Sequence, residues 1–267
     1  MAINFDSLVI DRVVEAVAED SNGNLLYLLN NLSNVSINTT SDTKDKVDSL
    51  GVLIKRFYTA KSVEVSADCN LLSLSALAEQ FGTEKVVASA EKKILVPKLL
   101  RMKVSEGGFT IPENIKPVAP ITKMYAMNAN GTLGKEYTAH TSADQDKFSY
   151  ETGTRKITFP TDSALKGKEV LVKYEYETQS GVKVSQMSDK FPRTVCMTFR
   201  VLVSDVCSVD VVRSAYIVIP KFQTSPDVDL TLETDSTIAY SGVAQRDYCS
   251  ANSELYYVVM SEDDTEE

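Results

Sequence analysis

Alternation of apolar and polar positions predicts that most of this chain forms β-strands. Because successive side chains of a strand point to opposite faces, a period of two indicates a strand with one buried face. Residues 168–177 are a clear example, since one face holds Val170, Val172, Tyr174 and Tyr176 and the other holds Glu169, Lys173, Glu175 and Glu177. Residues 194–203 follow a similar pattern, and residues 211–222 are richer still in valine, isoleucine and aromatic residues. The pattern predicts antiparallel strands with one wet face.

Shorter strands are predicted in the first third of the chain, at residues 25–29, 34–40, 52–58 and 60–66. Between the second and third of these lies a polar stretch, residues 40–51. It is too long for a tight hairpin connection, so we expect a long protruding hairpin loop. The N-terminal residues 7–19 are ambiguous, because their valines favour a strand while their alanines and acidic residues permit a short helix.

One helix is predicted between Asn70, which can cap its first turn, and Gly82, which suits the left-handed position after its last turn. The apolar residues at helical spacing between them are Leu71, Leu74, Leu77, Ala78 and Phe81. Many short strands with one packed α-helix predict a mostly-β sandwich or barrel.

Three prolines, Pro112, Pro117 and Pro120, indicate a boundary after the strand-like residues 94–104. We therefore predict that residues 113–190 are a β-rich insertion or extension. Residues 1–112 and 191–267 would then form the main β-sandwich or barrel.

Composition narrows the classes of function. The 267 residues have a formal net charge of −9, which argues against a protein that grips the phosphate backbone. No segment is apolar for long enough to span a membrane. The first residues lack a basic segment followed by an apolar stretch, so we expect no signal peptide. The four cysteines are scattered, so we expect free thiols in a protein made in a reducing, cytosolic compartment.

No catalytic, cofactor or metal site is predicted. The sequence has no phosphate-binding glycine loop and no metal-binding histidine pair, and its single histidine, His140, lies in a polar segment typical of the surface. Asp42, Asp45 and Asp48 are spaced three apart, but lysines stand where an EF-hand would need oxygen ligands.

An acidic stripe at residues 227–235 is the feature most open to a functional interpretation. In a strand, Val228, Leu230 and Leu232 would share one face. The opposite face would hold Asp227, Asp229, Glu233 and Asp235. We favour a solvent face kept charged to prevent edge pairing. The functional alternative is a negatively charged wall, which would repel DNA if several copies formed a ring.

The chain resembles phage major tail proteins, the tail tube proteins, over most of its length. In the first half, the resemblance lies in residues 11–15, 25–27, 39–42, 48–51, 54–57 and Lys61, and in the position of the single helix. In the second half it lies in residues 148–160, 167–177, 190–192, 215–221, 248–250 and 254–257.

The resemblance implies a structural, non-enzymatic subunit of the virion tail that is made in the host cytoplasm. Such subunits form hexameric rings that stack into a hollow tube, lined by a continuous inner β-barrel, through which DNA leaves without specific binding. The implied partners are further copies of the chain, the tail tip or baseplate, the tape measure protein and the tail terminator, with no membrane and no cofactor. Residues 1–112 and 191–267 would be the tube-forming part.

The resemblance also implies two sets of site residues. The loop that reaches the next ring would contain Thr40, Ser41, Asp42, Lys44, Asp45, Lys46, Asp48 and Gly51. The candidate acidic residues facing the lumen are Asp227, Asp229, Glu233, Asp235, Glu64 and Asp68.

Two other functions stay open. One is a monomeric β-sandwich module for virion decoration or carbohydrate binding, which exposed tyrosines on one surface would favour; Tyr125, Tyr137 and Tyr150 are candidates, although ordinary strand packing explains them better. The other is a glycosidase, which needs two carboxyl groups facing each other across a cleft. No pair among the 37 acidic residues stands out.

Overall fold

The structure is a computed structural model that describes residues 5–206, 208–234, 236–249 and 253–265, the side chains of 208–210 and 262–265 excepted. It is mostly β, as predicted. Its elements are β1 (Leu8–Glu19), β2 (Leu25–Asn30), β3 (Leu32–Val47), β4 (Leu53–Cys69), α1 (Leu74–Gln80), β5 (Val86–Val87), β6 (Ile94–Lys103), β7 (Phe109–Thr110), β8 (Lys123–Met127), β9 (Leu133–His140), β10 (Lys147–Glu151), β11 (Lys156–Thr158), β12 (Glu169–Thr178), β13 (Val182–Lys183), β14 (Thr194–Asp205), β15 (Ser208–Thr224), β16 (Ile238–Ala244) and β17 (Tyr257–Thr265). Short 3₁₀ turns lie at Glu113–Ile115 and Ser163–Leu165.

The chain forms two compact units. The first contains the residues up to Lys85 and those from Val184 onward, and the second contains Val86–Lys183. Strand β6 belongs to the second unit because it pairs with β12 along its whole length, from Ile94 opposite Thr178 to Lys103 opposite Glu169. The second unit therefore begins earlier than residue 113, where the prolines suggested an insertion. The predicted division into a tube-forming part and a β-rich insertion stays a prediction.

The first unit is built on one antiparallel sheet in the order β2-β1-β14-β15-β16-β4-β3, with β17 also paired to β15. Three strands separate β2 from β16 in this order, yet Tyr27 and Tyr240 share a hydrogen bond between their hydroxyls, and their ring centroids are 6.3 Å apart. The sheet therefore curls into a half-barrel. Its inner face is closed by large buried side chains, including Met197, Phe199, Ile219 and Phe222.

Helix α1 packs against the inner face of this curled sheet through Ala76, which belongs to the same core. The helix begins at Leu74, because the Ser73 side chain accepts a hydrogen bond from the Ala76 amide at 3.3 Å. The predicted start at Asn70 and Leu71 is therefore wrong: Leu71 is exposed ahead of the cap.

The predicted end of the helix is confirmed. Gly82 has a φ of 63°, a left-handed conformation that glycine adopts without strain. A side chain at this position would also collide with the backbone of Phe191. The ambiguous N-terminal segment is a strand, β1, paired with β14 on one side and β2 on the other.

The second unit has a seven-stranded sheet in the order β6-β12-β8-β9-β10-β11-β7. All its ladders are antiparallel except that between β9 and β10. Its own core contains Met124, Phe148, Ile157, Leu165 and Val172. The short strands β5 and β13 pair separately, next to the two points where the chain passes between units.

Candidate assembly surfaces

Strands β3 and β4 continue as a two-stranded arm beyond the sheet. Pairing of β16 with β4 ends at Val63, whereas the ladder between β3 and β4 continues to Val47 opposite Leu53. We call residues 40–61 the hairpin arm; every residue in it is exposed. The prediction of a protruding loop was therefore wrong in one respect: residues 40–47 are strand. Both faces of the arm are exposed, so no alternation of buried and exposed positions marked it.

The tip of the arm is a tight turn shaped by two of the predicted stacking residues. The Asp48 carboxylate accepts hydrogen bonds from the amides of Leu50 at 2.9 Å and Val52 at 2.8 Å. Gly51 has a φ of 81°, which favours glycine. Asp48 and Gly51 therefore fix the turn that presents Leu50.

One face of the hairpin arm is basic. Lys44 lies opposite Phe57, and Lys46 lies directly opposite Lys55, so these four side chains share a face. The Lys55 ammonium lies 5.0 Å from the centre of the Phe57 ring, a cation–π contact. Like charges directly opposite each other destabilise a ladder, and Lys46 and Lys55 are such a pair.

The other face of the arm is tied by a charge pair. Arg56 donates two hydrogen bonds to the Asp45 carboxylate, both 2.8 Å long, and the two residues are opposite each other in the ladder. These hydrogen bonds hold the pKa of Asp45 below its usual value. Thr43 and Tyr58 are the next pair on this face.

Large apolar side chains are exposed along the arm. Leu50 at the tip is 86% exposed and Tyr58 is 72% exposed. The others are Val47, Val52, Leu53, Ile54 and Phe57. An isolated two-stranded hairpin is marginally stable in water, and a concentration of exposed apolar side chains is typical of a surface that another molecule covers. The predicted strand at residues 52–58 is confirmed as the part of β4 that lies on the arm.

The outer face of β4 near the sheet is polar. Val63, Val65 and Ala67 point into the core, whereas Glu64 is exposed on the other face. Asp68 shares this outer face and accepts a hydrogen bond of 2.8 Å from Asn34 Nδ2. The other polar side chains around Glu64 are Ser36, Asn38, Ser66, Ser225 and Ser241.

The acidic stripe is not a strand. Residues 225–234 form an irregular loop between β15 and β16 that makes no ladder with any described residue. We call residues 227–234 of this loop the acidic loop. Asp227, Asp229 and Glu233 are exposed in this loop, and Leu232 is 94% exposed. Asp235 lies outside the described residues. The strand prediction failed because alternation specifies which face a strand would bury, but a strand also needs a partner edge, which the subunit does not offer here.

A family model provides the identification. The model described as the YomU/Tube protein family matches residues 8–242, which include the hairpin arm, the acidic loop and the second unit. The chain belongs to the YomU/Tube protein family. This membership confirms the resemblance to phage tail tube proteins and indicates a tube-like structural protein of the virion tail. Comparison with the curated proteins gives no match.

The histidine considered for a catalytic site in this tube-family protein is exposed, and no metal site forms among the described residues. His140 is exposed at the end of β9, and its ring nitrogen lies 3.4 Å from the Thr141 hydroxyl. Within the described residues, no group of three or more His, Cys, Asp or Glu side chains is placed to hold a metal ion. No helix in the described part of the chain is long and apolar enough to cross a membrane.

The tyrosines that would favour a carbohydrate-binding module do not form an exposed platform. Tyr137 is buried in the core of the second unit, where its hydroxyl donates a 2.7 Å hydrogen bond to Asp162. Tyr150 packs against the same core, and Tyr125 is half-buried on β8. The interpretation of these residues as strand packing is confirmed for Tyr137 and Tyr150.

Proposed function

We propose that this protein is the subunit of a phage tail tube that assembles into stacked hexameric rings and forms the conduit for DNA ejection. The observation that supports this most directly is the hairpin arm. It leaves the half-barrel as a fully exposed ladder with an apolar tip, and it makes no contribution to the core of its own subunit.

In this proposal the arm is the contact between rings. Burial of its apolar side chains against the next ring would stabilise the stack. The predicted stacking residues all lie on the arm: Thr40, Ser41, Asp42, Lys44, Asp45, Lys46, Asp48 and Gly51. To these we add Leu50, Ile54 and Tyr58, whose exposed side chains offer the larger apolar area.

Ring formation follows from the edges of the sheet. Among the described residues, β2 and β3 each pair on one side only. Open edges invite uncontrolled pairing, and a barrel closed across neighbouring copies would remove them. Such closure is the proposed source of the ring and of its lumen.

We assign the lumen wall to the polar outer face of β4. Glu64 and Asp68 share this face, and a negative wall repels the phosphate backbone, so that DNA passes without binding. The lumen position of Asp227, Asp229 and Glu233 was suggested by a strand face that is not formed in the subunit. Their place in the lumen wall therefore stays a prediction. The proposed partners beyond other copies are the tail tip or baseplate, the tape measure protein and the tail terminator.

Removing the arm tests the proposal. Replacing residues 41–61 with Asn-Gly joins Thr40 to Ser62, which are opposite each other in the ladder, through a turn suited to a two-residue hairpin. We expect a folded subunit that forms no tubes in electron micrographs. The control replaces the exposed turn 152–154 of the second unit with Gly-Ser-Gly and should assemble normally.

Two outcomes would contradict different parts of the proposal. An armless variant that forms tubes as readily as the control would show that the arm does not stack rings. Wild-type protein that forms neither rings nor tubes at high concentration, even when seeded with its own tail tips, would contradict the tube function itself.

A further inference from the structure

The acidic loop, residues 227–234, has the side-chain pattern of a strand without having a partner. Val228, Leu230 and Leu232 alternate with Asp227, Asp229 and Thr231. Among the described residues, the loop has no ladder. The Ser236 hydroxyl donates a hydrogen bond of 2.7 Å to the Thr231 carbonyl near the middle of the loop. Exposed leucines in a segment that has the pattern of a strand but no ladder point to a pairing that forms only when another molecule supplies an edge.

The hairpin arm has such an edge. Within the described residues, β3 pairs with β4 alone, so the amides and carbonyls on the other side of Thr43–Val47 face solvent. An extended segment can add to an open edge of this kind through backbone hydrogen bonds, while its alternate side chains determine which segment fits. Every residue along this edge is exposed, so a second copy can reach it.

Charge makes the two segments complementary. Residues 40–61 contain five basic and three acidic side chains, a net charge of +2, so the rest of the chain carries −11. Lys44 and Lys46 are two residues apart on one face of the arm, and Asp227 and Asp229 have the same spacing in the loop. In one ladder, each lysine could stand beside one aspartate, and opposite charges in this position stabilise a sheet.

The apolar side chains of the loop take the other face. When Asp227 and Asp229 lie beside the lysines, Val228 comes beside Asp45, whose carboxylate is already paired with Arg56, and the exposed Tyr58 lies one strand further away on the same face. The pairing would also place acidic groups near Lys46 and Lys55, which lie directly opposite each other in the free subunit.

We propose that residues 227–233 of one copy add as a strand to the open edge of β3 in the hairpin arm of another copy, with Asp227 and Asp229 beside Lys44 and Lys46. This inference rests on the proposed function, and it specifies the segment of the neighbouring copy that the arm binds. The acidic loop is then an assembly element that becomes a strand on stacking.

Charge reversal with rescue tests the pairing. We expect the Lys44→Glu/Lys46→Glu variant to polymerise only at a concentration at least tenfold higher than wild type. Adding Asp227→Lys/Asp229→Lys to the same chain should bring this concentration back to within threefold of wild type, because every copy supplies both partners. The Lys46→Glu change places an opposite charge across from Lys55, so the reversal does not weaken the hairpin itself.

The matched control, Lys166→Glu/Lys168→Glu, changes the net charge equally at two exposed lysines of the second unit and should polymerise like wild type. Hydrogen exchange gives an independent measurement: the amides of residues 227–233 should exchange freely in the subunit and become protected in tubes.

Each result supports or overturns the pairing. If wild-type tubes form and the loop amides stay unprotected in them, or if the arm reversal assembles like the control, the pairing is wrong while the tube function stands. The pairing is equally wrong if the fourfold variant assembles no better than the arm reversal. If wild-type protein does not assemble even when seeded, the proposed function fails, and the pairing fails with it.

Discussion

Leu50 lies at the tip of the hairpin arm, and replacing it with serine should weaken the stacking of subunits without weakening the subunit. The side chain is 86% exposed and belongs to neither core, so the folded chain gains little from it. In a stacked ring it would be buried against the neighbouring copy. The substitution therefore separates the free energy of assembly from the free energy of folding.

The size of the effect follows from the exposed fraction. Complete burial of a leucine side chain contributes about 1.5–3 kcal/mol. Because most of the Leu50 side chain is still exposed in the subunit, nearly all of this contribution is available to the contact. A loss of about 2 kcal/mol per added subunit corresponds to a rise of roughly 30-fold in the critical concentration for polymerisation.

Sedimentation of the polymer over a range of protein concentrations measures this critical concentration, and thermal unfolding measures the stability of the subunit. Leu99→Ser is the matched control, because Leu99 is 64% exposed on β6 of the second unit, away from the arm in the sequence and in the ladder pattern. We expect the control to polymerise like wild type. The unfolding temperatures of both variants should lie within about 2 °C of the wild-type value.

A Leu50→Ser critical concentration within twofold of the control would refute the reasoning, since it would mean that the tip stays in solvent after stacking. A large drop in unfolding temperature would refute it differently, because the tip would then be part of the subunit's own packing.

Two further predictions concern the subunit. Gly242→Ala should lower the free energy of unfolding by about 1–3 kcal/mol in denaturant titrations, since the added methyl would collide with the Phe222 ring and lie 2.5 Å from the Gln223 carbonyl; Gly153→Ala, in open space, should change it by less than about 0.5 kcal/mol. Burial raises the pKa of Tyr27 from 10.0 to about 12, so the unfolded chain releases this proton first as the pH rises. The free energy of unfolding should therefore fall between pH 10 and 12, and less steeply in Tyr27→Phe; equal slopes would contradict this origin.

Sequence patterns predicted best where a strand has one buried face. Residues 168–177 and 194–203 have most of their apolar side chains at alternate positions, and the structure has β12 at Glu169–Thr178 and β14 at Thr194–Asp205. The helix was found for the same reason, through its apolar period, although its first turn was misplaced. Leu71 continues the apolar pattern but precedes the residue whose hydroxyl caps the helix, Ser73.

Patterns failed at the two segments proposed for assembly. The hairpin arm is exposed on both faces, so its strands show no alternation of buried and exposed residues. The acidic loop alternates apolar and polar residues, but it pairs with no strand among the described residues. Both failures have one physical origin. A β-strand is completed by a neighbour, and the sequence of one chain does not state whether that neighbour is in the same molecule.

The sequence by itself determined the mostly-β class, the single helix, the negative net charge and the likeness to tail tube proteins. These depend on the local spacing of apolar residues, on composition and on short sequence motifs. Only the tertiary structure decided that β6 belongs to the second unit, that the sheet curls until Tyr27 meets Tyr240, and that the polar stretch is an extended ladder. These features depend on pairing between residues far apart in the chain. Such pairings are selected by the packing of the whole core and by backbone hydrogen bonds that every residue type can make.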